Sequence, residues 1–258
     1  MPIFVSAAWL EERLDSPDVL VLDPRRPMRY LQGHLKNAVN LPLSKAFDSE
    51  GSLLPAAGLE KWLGAAGLDD RRTVVVYDGH DGRNAAMLAW ILEYLGRGVQ
   101  LLDIFLERWI GEGREIFYRP VKPVPTQFSA RVNPQVRAAL DDIRDNSGRK
   151  LVDFRSREEY AGKPSPADGR PGHIPGAVNV VWQDLVGEDH QFLAPEAKLQ
   201  ELLAAAGIGP RDRVVAYCRT GVRAAVGYLA LKRLGWDVVL YDGSYAEWAR
   251  NGLPVEAS

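Results

Sequence analysis

Apolar residues in this chain gather in short, nearly continuous runs separated by longer stretches with helical spacing. Val19–Leu22, Thr73–Tyr77 and Val99–Leu102 read as strands in the first half, and Lys150–Phe154, Arg213–Tyr217 and Asp237–Tyr241 in the second. Runs without polar alternation predict strands buried on both faces, as in a parallel sheet. Between them, Gly82–Leu95, Pro195–Ala206 and Val222–Leu234 place apolar residues at helical intervals. Strands alternating with such helices predict an α/β architecture, each domain a mainly parallel sheet with helices on both faces. The stretches "FDSEGSLLP" (47–55) and "GEDHQ" (187–191) read as solvated loops ahead of helices.

The pattern occurs twice. "VLVLDPRRPMRYLQGHLKNAVNLPLS" from Val19 has its counterpart in "KLVDFRSREEY" and "GHIPGAVNVVW" from Lys150 onward, with His34 against His173 and Asn40 against Asn179. "VVVYDGHDGRNAAMLAWILEYLG" matches "RVVAYCRTGVRAAVGYLALKRLG" without a gap, which pairs Tyr77 with Tyr217, Asp78 with Cys218 and Arg83 with Arg223. "LLDIFLERW" (101–109) matches "LYDGSYAEW" (240–248). Four blocks in the same order imply a duplicated domain. Between the copies, "YRPVKPVPTQFSA" (118–130) carries three prolines, which fix φ and remove backbone donors. It reads as an extended linker across a surface. The predicted division is a first domain over 1–118, a linker over 119–130 and a second domain over 131–258.

Composition narrows the function without choosing one. A chain of 258 residues can bury a sizeable core and suffices for two domains. With 46% hydrophobic and 26% charged residues and a net charge of −2, it offers no electrostatic ground for nucleic acid or an anionic membrane as partner. No apolar run approaches the roughly 20 residues of a membrane span. The start, "MPIFVSAAWLEERLDSPD", has no basic region ahead of an apolar core and does not read as a signal peptide. One cysteine forms no internal disulfide, which fits a reducing compartment. The expectation is a cytoplasmic protein. Since the repeat already supplies a two-domain unit, it is also expected to be a monomer.

That cysteine, Cys218, falls where the strand Arg213–Tyr217 ends and a helix begins near Val222. In open parallel sheets, ligands sit beyond the carboxyl ends of the strands. The unpaired N–H groups of a helix N-terminus favour negative charge, and Arg219 and Arg223 add positive charge nearby. Both effects favour thiolate over thiol and activate a nucleophile. Gly221 lets the backbone curl so that its N–H groups turn inward. A buried structural cysteine is the plainer reading, but an inert core thiol has no use for flanking arginines.

The loop Cys218-Arg219-Thr220-Gly221-Val222-Arg223 at a strand–helix junction resembles the active loop of the rhodanese (sulfurtransferase) family. "GHIPGAVNV" and "DGSYAEW" resemble that family's signatures, as does a tandem duplication in which the second copy keeps the cysteine. The resemblance covers nearly the whole chain and implies two tandem rhodanese-like domains. It implies Cys218 as the nucleophile that carries sulfane sulfur as a persulfide, with Arg219, Thr220, Gly221, Val222 and Arg223 forming the donor-binding loop. The implied partners are a small-molecule sulfur donor and a thiol or cyanide acceptor, with no metal or organic cofactor. Asp78 stands in the cysteine's place in the first copy and cannot carry sulfur, so that domain is expected to be catalytically silent.

The loop departs from the family's common forms. Members that favour thiosulfate often carry Cys-Arg-Lys-Gly-Val-Thr, and those that favour 3-mercaptopyruvate carry Cys-Gly-Ser-Gly-Val-Thr. Here Arg219 matches the first form, Thr220 takes its lysine's place and Arg223 its threonine's. A further family arginine falls at Glu159, where an anion replaces a cation. Arg223 is expected to restore the charge, and thiosulfate is the expected donor over 3-mercaptopyruvate. A persulfide carrier serving one protein partner is an alternative. So is a cysteine phosphatase, but its Cys-x5-Arg loop is one residue longer than the spacing from Cys218 to Arg223.

The remaining candidates read as structural. His34 and His173 lie in matching turns, where a catalytic role would need only one, and no His/Cys cluster has zinc spacing. Asp23 and Asp153, and likewise Asp103 and Asp242, end matched strands and are expected to fix loops by accepting N–H bonds. Asp242, Ser244 and Trp248 are candidates to line a cleft near Cys218. Trp182 is expected to pack in the core.

Overall fold

Each half of the chain builds its own parallel sheet. The computed structural model describes residues 3–145, 148–163 and 170–257. The first unit comprises Met1–Asn133 with Glu188–Phe192, and the second Pro134–Gly187 with Leu193–Ser258. In the first, β1 (Ile3–Val5), β2 (Val19–Asp23), β3 (Val39–Asn40), β4 (Thr73–Val76) and β5 (Gln100–Leu102) lie in the order β1-β5-β4-β2-β3. In the second, β6 (Lys150–Asp153), β7 (Val178–Asn179), β8 (Arg213–Tyr217) and β9 (Asp237–Leu240) lie in the order β7-β6-β8-β9. Neighbouring strands are parallel throughout.

The two orders are one topology. Arg137 makes a single parallel bridge to Leu240, and the Ala138 N–H donates to the Leu240 carbonyl. Residue 137 therefore stands beside β9 as β1 stands beside β5. In each unit the chain steps to one edge (β3 or β7) and then returns to the other side of its starting strand. The crevice created by that reversal opens at the carboxyl ends of β2 and β4, and of β6 and β8.

Burial explains the apolar runs. β4 reads Thr-Val-Val-Val and β8 Arg-Val-Val-Ala-Tyr, and in both every residue after the first is buried. β-Branched side chains suit a pleated sheet covered on both faces. The helices that follow, Arg83–Tyr94 and Val222–Arg233, are buried continuously over Ala85–Leu92 and Ala224–Leu231. A helix apolar on all sides is an interior helix, so its N-terminus is held rigidly over the end of the preceding strand. Gly227 permits a close approach of the second helix to its sheet. A Cβ there would come 2.3 Å from Cζ of Phe154, the residue that follows β6. Among the described residues no helix is long and apolar enough to cross a membrane.

Three expectations change in detail. The strands stop one residue short of the apolar run at Val76, Asp153 and Leu240. The strands β1, β3 and β7 span two or three residues, too few to leave a periodic signature. Finally, the gapless alignment fails at the loop. Tyr77 and Tyr217 correspond, but the helices begin at Arg83 and Val222 after Gly82 and Gly221, both with positive φ. The first-half loop is one residue longer, so Arg83 corresponds to Val222, and Arg223 corresponds to Asn84. Residues 118–130 form no regular element and lie along the first unit. They are tied down by Val121 N–H to Tyr30 Oη (3.0 Å), Thr126 N–H to the Gly64 carbonyl (2.9 Å) and Ala130 N–H to Glu60 Oε1 (2.7 Å).

Candidate active site

The crevice of the second unit is framed by a buried ion pair. Arg155 forks onto Asp153 at the end of β6, with Nη2 to Oδ2 at 2.7 Å, and both side chains are fully buried. The same arginine donates to the Gly172 carbonyl at 2.7 Å and lies 4.0 Å from the ring centroid of Tyr245. Asp153 also accepts the Arg155 N–H at 2.9 Å, and Asn179 donates to the carbonyls of Asp153 and Arg155. Breaking a buried charge pair of this kind would leave an uncompensated charge in the interior. Asp23, Arg25 and Asn40 repeat these contacts in the first unit, with Arg25 Nη2 to Asp23 Oδ2 at 2.6 Å. His34 and His173 stack on Tyr30 and Tyr160 at 4.0 and 3.8 Å, and each bonds a backbone carbonyl through Nδ1. The matched turns are therefore structural.

Cys218 follows β8 directly and is 1% exposed. Its N–H donates to Ser244 Oγ at 3.2 Å, and that hydroxyl donates onward to the Tyr241 carbonyl at 2.7 Å. Its carbonyl accepts the Tyr245 N–H at 3.0 Å, and the next carbonyl, of Arg219, accepts from Ala246 at 2.9 Å. The loop is thus stitched to the first turn of the helix Ser244–Arg250. Ser244 holds this place with φ of 54°, the left-handed region that costs a non-glycine residue strain. Gly221, with φ of 82°, caps the helix Val222–Arg233, and a Cβ on it would meet the Asp242 backbone at 3.0 Å. Thr220 is exposed at the loop, Arg219 and Val222 are half-buried. Arg137 forks onto Asp242 at 2.7 and 2.8 Å. Burial drives the Asp242 carboxyl upward from its ordinary pKa, against the pull of Arg137.

Arg223 joins the thiol to an acid. Its two terminal nitrogens donate to the two oxygens of Glu159 at 2.6 and 2.7 Å. Burial works against the Arg223 cation, but the bond to Glu159 and the neighbouring Cys218 sulfur outweigh it and raise its pKa. Burial likewise favours the neutral acid at Glu159. The Arg223 fork, the Ser156 N–H and the charge of Arg155 prevail and hold that carboxyl down to about 2. Bidentate arginine–carboxylate pairs are among the strongest charge-assisted contacts.

The first unit shows what such a loop holds. Asp78 follows Tyr77 as Cys218 follows Tyr217. Its Oδ1 accepts the Gly79 N–H at 2.8 Å, and its Oδ2 accepts those of Asn84 and Ala85 at 2.9 and 3.0 Å. The helix-opening amides in the second unit are the counterparts Arg223 and Ala224. Backbone N–H groups converging at a helix N-terminus form a cradle for an anion.

Comparison with known proteins agrees with this geometry. The model of the rhodanese-like domain matches residues 6–112 and again 136–251. The chain belongs to the rhodanese-like family. A relative from Saccharopolyspora erythraea, named as a candidate thiosulfate sulfurtransferase, is 31% identical over 270 residues, covering 98% of this chain and 96% of its own. One from Pseudomonas aeruginosa, named as a candidate 3-mercaptopyruvate sulfurtransferase, is 32% identical over 266 residues, covering 95% and 94%. The protein is thus a member of a sulfurtransferase family built from two rhodanese-like domains. A crystal structure of an anaerobic ergothioneine biosynthesis enzyme from Chlorobium limicola shares the fold at a TM-score of 0.91 and 23% identity, over 99% of this chain and 70% of that one.

Within this rhodanese-like unit the structure gathers Cys218, Arg219, Gly221, Val222 and Arg223 into one turn under a helix. Of the residues suspected of lining a cleft, Ser244 bonds the Cys218 backbone, Asp242 engages Arg137, and Trp248 donates to the Pro254 carbonyl at 2.7 Å from within the core. Trp182 is buried, as expected. The sequence shows Glu159 as an anion in place of a family arginine, with Arg223 expected to restore the charge; in the fold the two are partners, and the arginine's charge is met by that carboxylate. Sequence reasoning passed over the Asp153–Arg155 pair. The repeat of Asp-x-Arg in "LDPRR" and "VDFRS" was the available signal.

Proposed function

We propose that the protein moves sulfane sulfur from thiosulfate to a thiophilic acceptor, cyanide or a thiol, through a persulfide on Cys218. The observation that carries this reading is the Asp78 carboxylate, which accepts three backbone N–H groups in the loop equivalent to that of Cys218. A persulfide on Cys218 would extend its terminal anionic sulfur toward the same set of donors. The thiolate of Cys218 attacks the outer sulfur of thiosulfate. The bond between the two donor sulfurs breaks, and sulfite leaves with the electron pair. The acceptor then attacks the terminal sulfur of the persulfide and returns Cys218 as thiolate, released as thiocyanate in the case of cyanide. Ser244 and Arg223 keep the cysteine in place throughout, while Asp78 has no sulfur to offer and leaves the first unit silent.

One observation favours a second reading, with 3-mercaptopyruvate as donor. Arg223 already has both terminal nitrogens on Glu159, and a guanidinium neutralised in this way loses more of its pull on the dianion thiosulfate than on the monoanion 3-mercaptopyruvate. Thiocyanate formation with each donor, in wild type and Cys218→Ser, tests both. Turnover with thiosulfate that vanishes in the variant supports the proposal. Turnover with 3-mercaptopyruvate alone replaces the donor, and turnover that survives Cys218→Ser removes the mechanism.

A further inference from the structure

Three arginines around the Cys218 loop are held by carboxylates. Arg155 is forked onto Asp153, Arg137 onto Asp242 and Arg223 onto Glu159. The third pair differs from the others in its position. Arg223 lies beside the Cys218 sulfur itself, and the two side chains of the pair remain 19% exposed, so the pair meets solvent as well as the sulfur. Glu159 is also fixed on its other side. The Ser156 N–H donates to its Oε2 at 3.1 Å, and the Ser156 hydroxyl accepts the Glu159 N–H at 3.3 Å, a capping box at the start of the helix Arg157–Tyr160. The carboxylate is therefore a strut, held at two points, that keeps the guanidinium against the sulfur and cancels its charge.

We propose that Glu159 is the selectivity residue of the Cys218 site. Acting through Arg223, it balances that guanidinium's charge and so reduces the advantage that dianions would otherwise have over neutral and singly charged reaction partners. This deepens the reading of Cys218 as the sulfur carrier and rests on it. A unit charge several ångströms from an approaching anion changes the encounter and binding terms in proportion to that anion's own charge. A dianion such as thiosulfate therefore meets the full penalty, a monoanion such as 3-mercaptopyruvate about half of it on a logarithmic scale, and a neutral reagent none.

The chain's one cysteine permits a test that does not require sulfur transfer. Alkylation of Cys218 by iodoacetate, an anion, is compared with alkylation by neutral iodoacetamide. The ratio of the two rates cancels the reactivity of the thiol and reports the charge around it. Glu159→Gln raises the ratio about fivefold. Arg223→Gln, read alone, lowers it by a similar factor, and the double variant returns it close to wild type. Glu159→Asp, which keeps the charge, stays within about twofold of wild type. In steady-state assays Glu159→Gln raises kcat/KM for thiosulfate more than for 3-mercaptopyruvate. A purely structural role for Glu159 changes both alkylation rates together and leaves the ratio where it was. An unchanged ratio in both Glu159→Gln and Arg223→Gln overturns the inference. Absence of sulfur transfer from either donor in wild type overturns the functional reading instead, while the alkylation ratio still decides the role of Glu159.

Discussion

Asp78 and Cys218 occupy equivalent places, each immediately after a buried tyrosine and beneath the first turn of an interior helix. One copy of the domain thus holds a carboxyl group in its own chain where the other can carry an anion transiently. Burial pushes the Asp78 carboxyl up to about 6, although the Ala85 and Gly79 N–H groups oppose the shift. A value raised above that of the unfolded chain means that the folded state binds the proton more tightly. The associated stability is complete below the unfolded carboxylate value and is lost as pH rises from about 4 through about 6, a loss of about 3 kcal/mol. Asp78→Asn does not titrate. Urea unfolding at about pH 4 and about pH 7 is expected to show that decline in wild type and a much flatter response in the variant. Parallel declines in the two proteins would contradict the assignment.

Ser244 is strained and useful at once. Removing its hydroxyl leaves the Cys218 N–H and the Tyr241 carbonyl without their bridge. Ser244→Ala is expected to cost about 1–3 kcal/mol in urea unfolding. Ser244→Gly loses the same bridge but relaxes the backbone at φ of 54°, so it should be more stable than the alanine variant by about 1 kcal/mol. The reverse order would show that the left-handed backbone at residue 244 is not strained, and no loss in Ser244→Ala would show that the hydroxyl does not bear on the loop.

Two glycines separate stability from chemistry. At Gly221 an added Cβ meets backbone, Asp242 oxygen at 3.0 Å and Asp242 Cα at 3.1 Å, in a conformation that disfavours side chains. Gly221→Ala should displace the loop, with a loss of more than about tenfold in turnover and of about 1–2 kcal/mol in stability. At Gly227 the atoms nearest to the added Cβ all belong to the Phe154 ring, the first at 2.3 Å. Gly227→Ala should cost about 1–3 kcal/mol by overpacking and leave the turnover of the folded fraction near wild type. Equal effects of the two on turnover would mean that the loop geometry is not what matters.

The sequence carried the sheet and the loop for one physical reason, and hid the rest for another. β4, β8 and the helices after them are buried on every side, so their apolar runs had to be continuous. Cys218 and Gly221 were legible because a thiol at a strand end and a glycine at a helix cap are local features. β3 and β7 were not, since a two-residue strand acquires its pairing from its neighbour and not from its own pattern. Glu159 lies far from Arg223 in the chain, and only the folded crevice brings them together at 2.6 Å. The extra residue in the Asp78 loop escaped notice because the arginines at 83 and 223 suggested a match that the helix caps contradict.

The central claim is that Cys218 carries sulfur as a persulfide. Its most direct test is the intact mass of the protein after brief exposure to thiosulfate without acceptor. The account predicts a gain of one sulfur atom, located on the peptide that holds Cys218, absent from Cys218→Ser and removed by cyanide. A protein of unchanged mass, or a sulfur adduct that persists in Cys218→Ser, would contradict it.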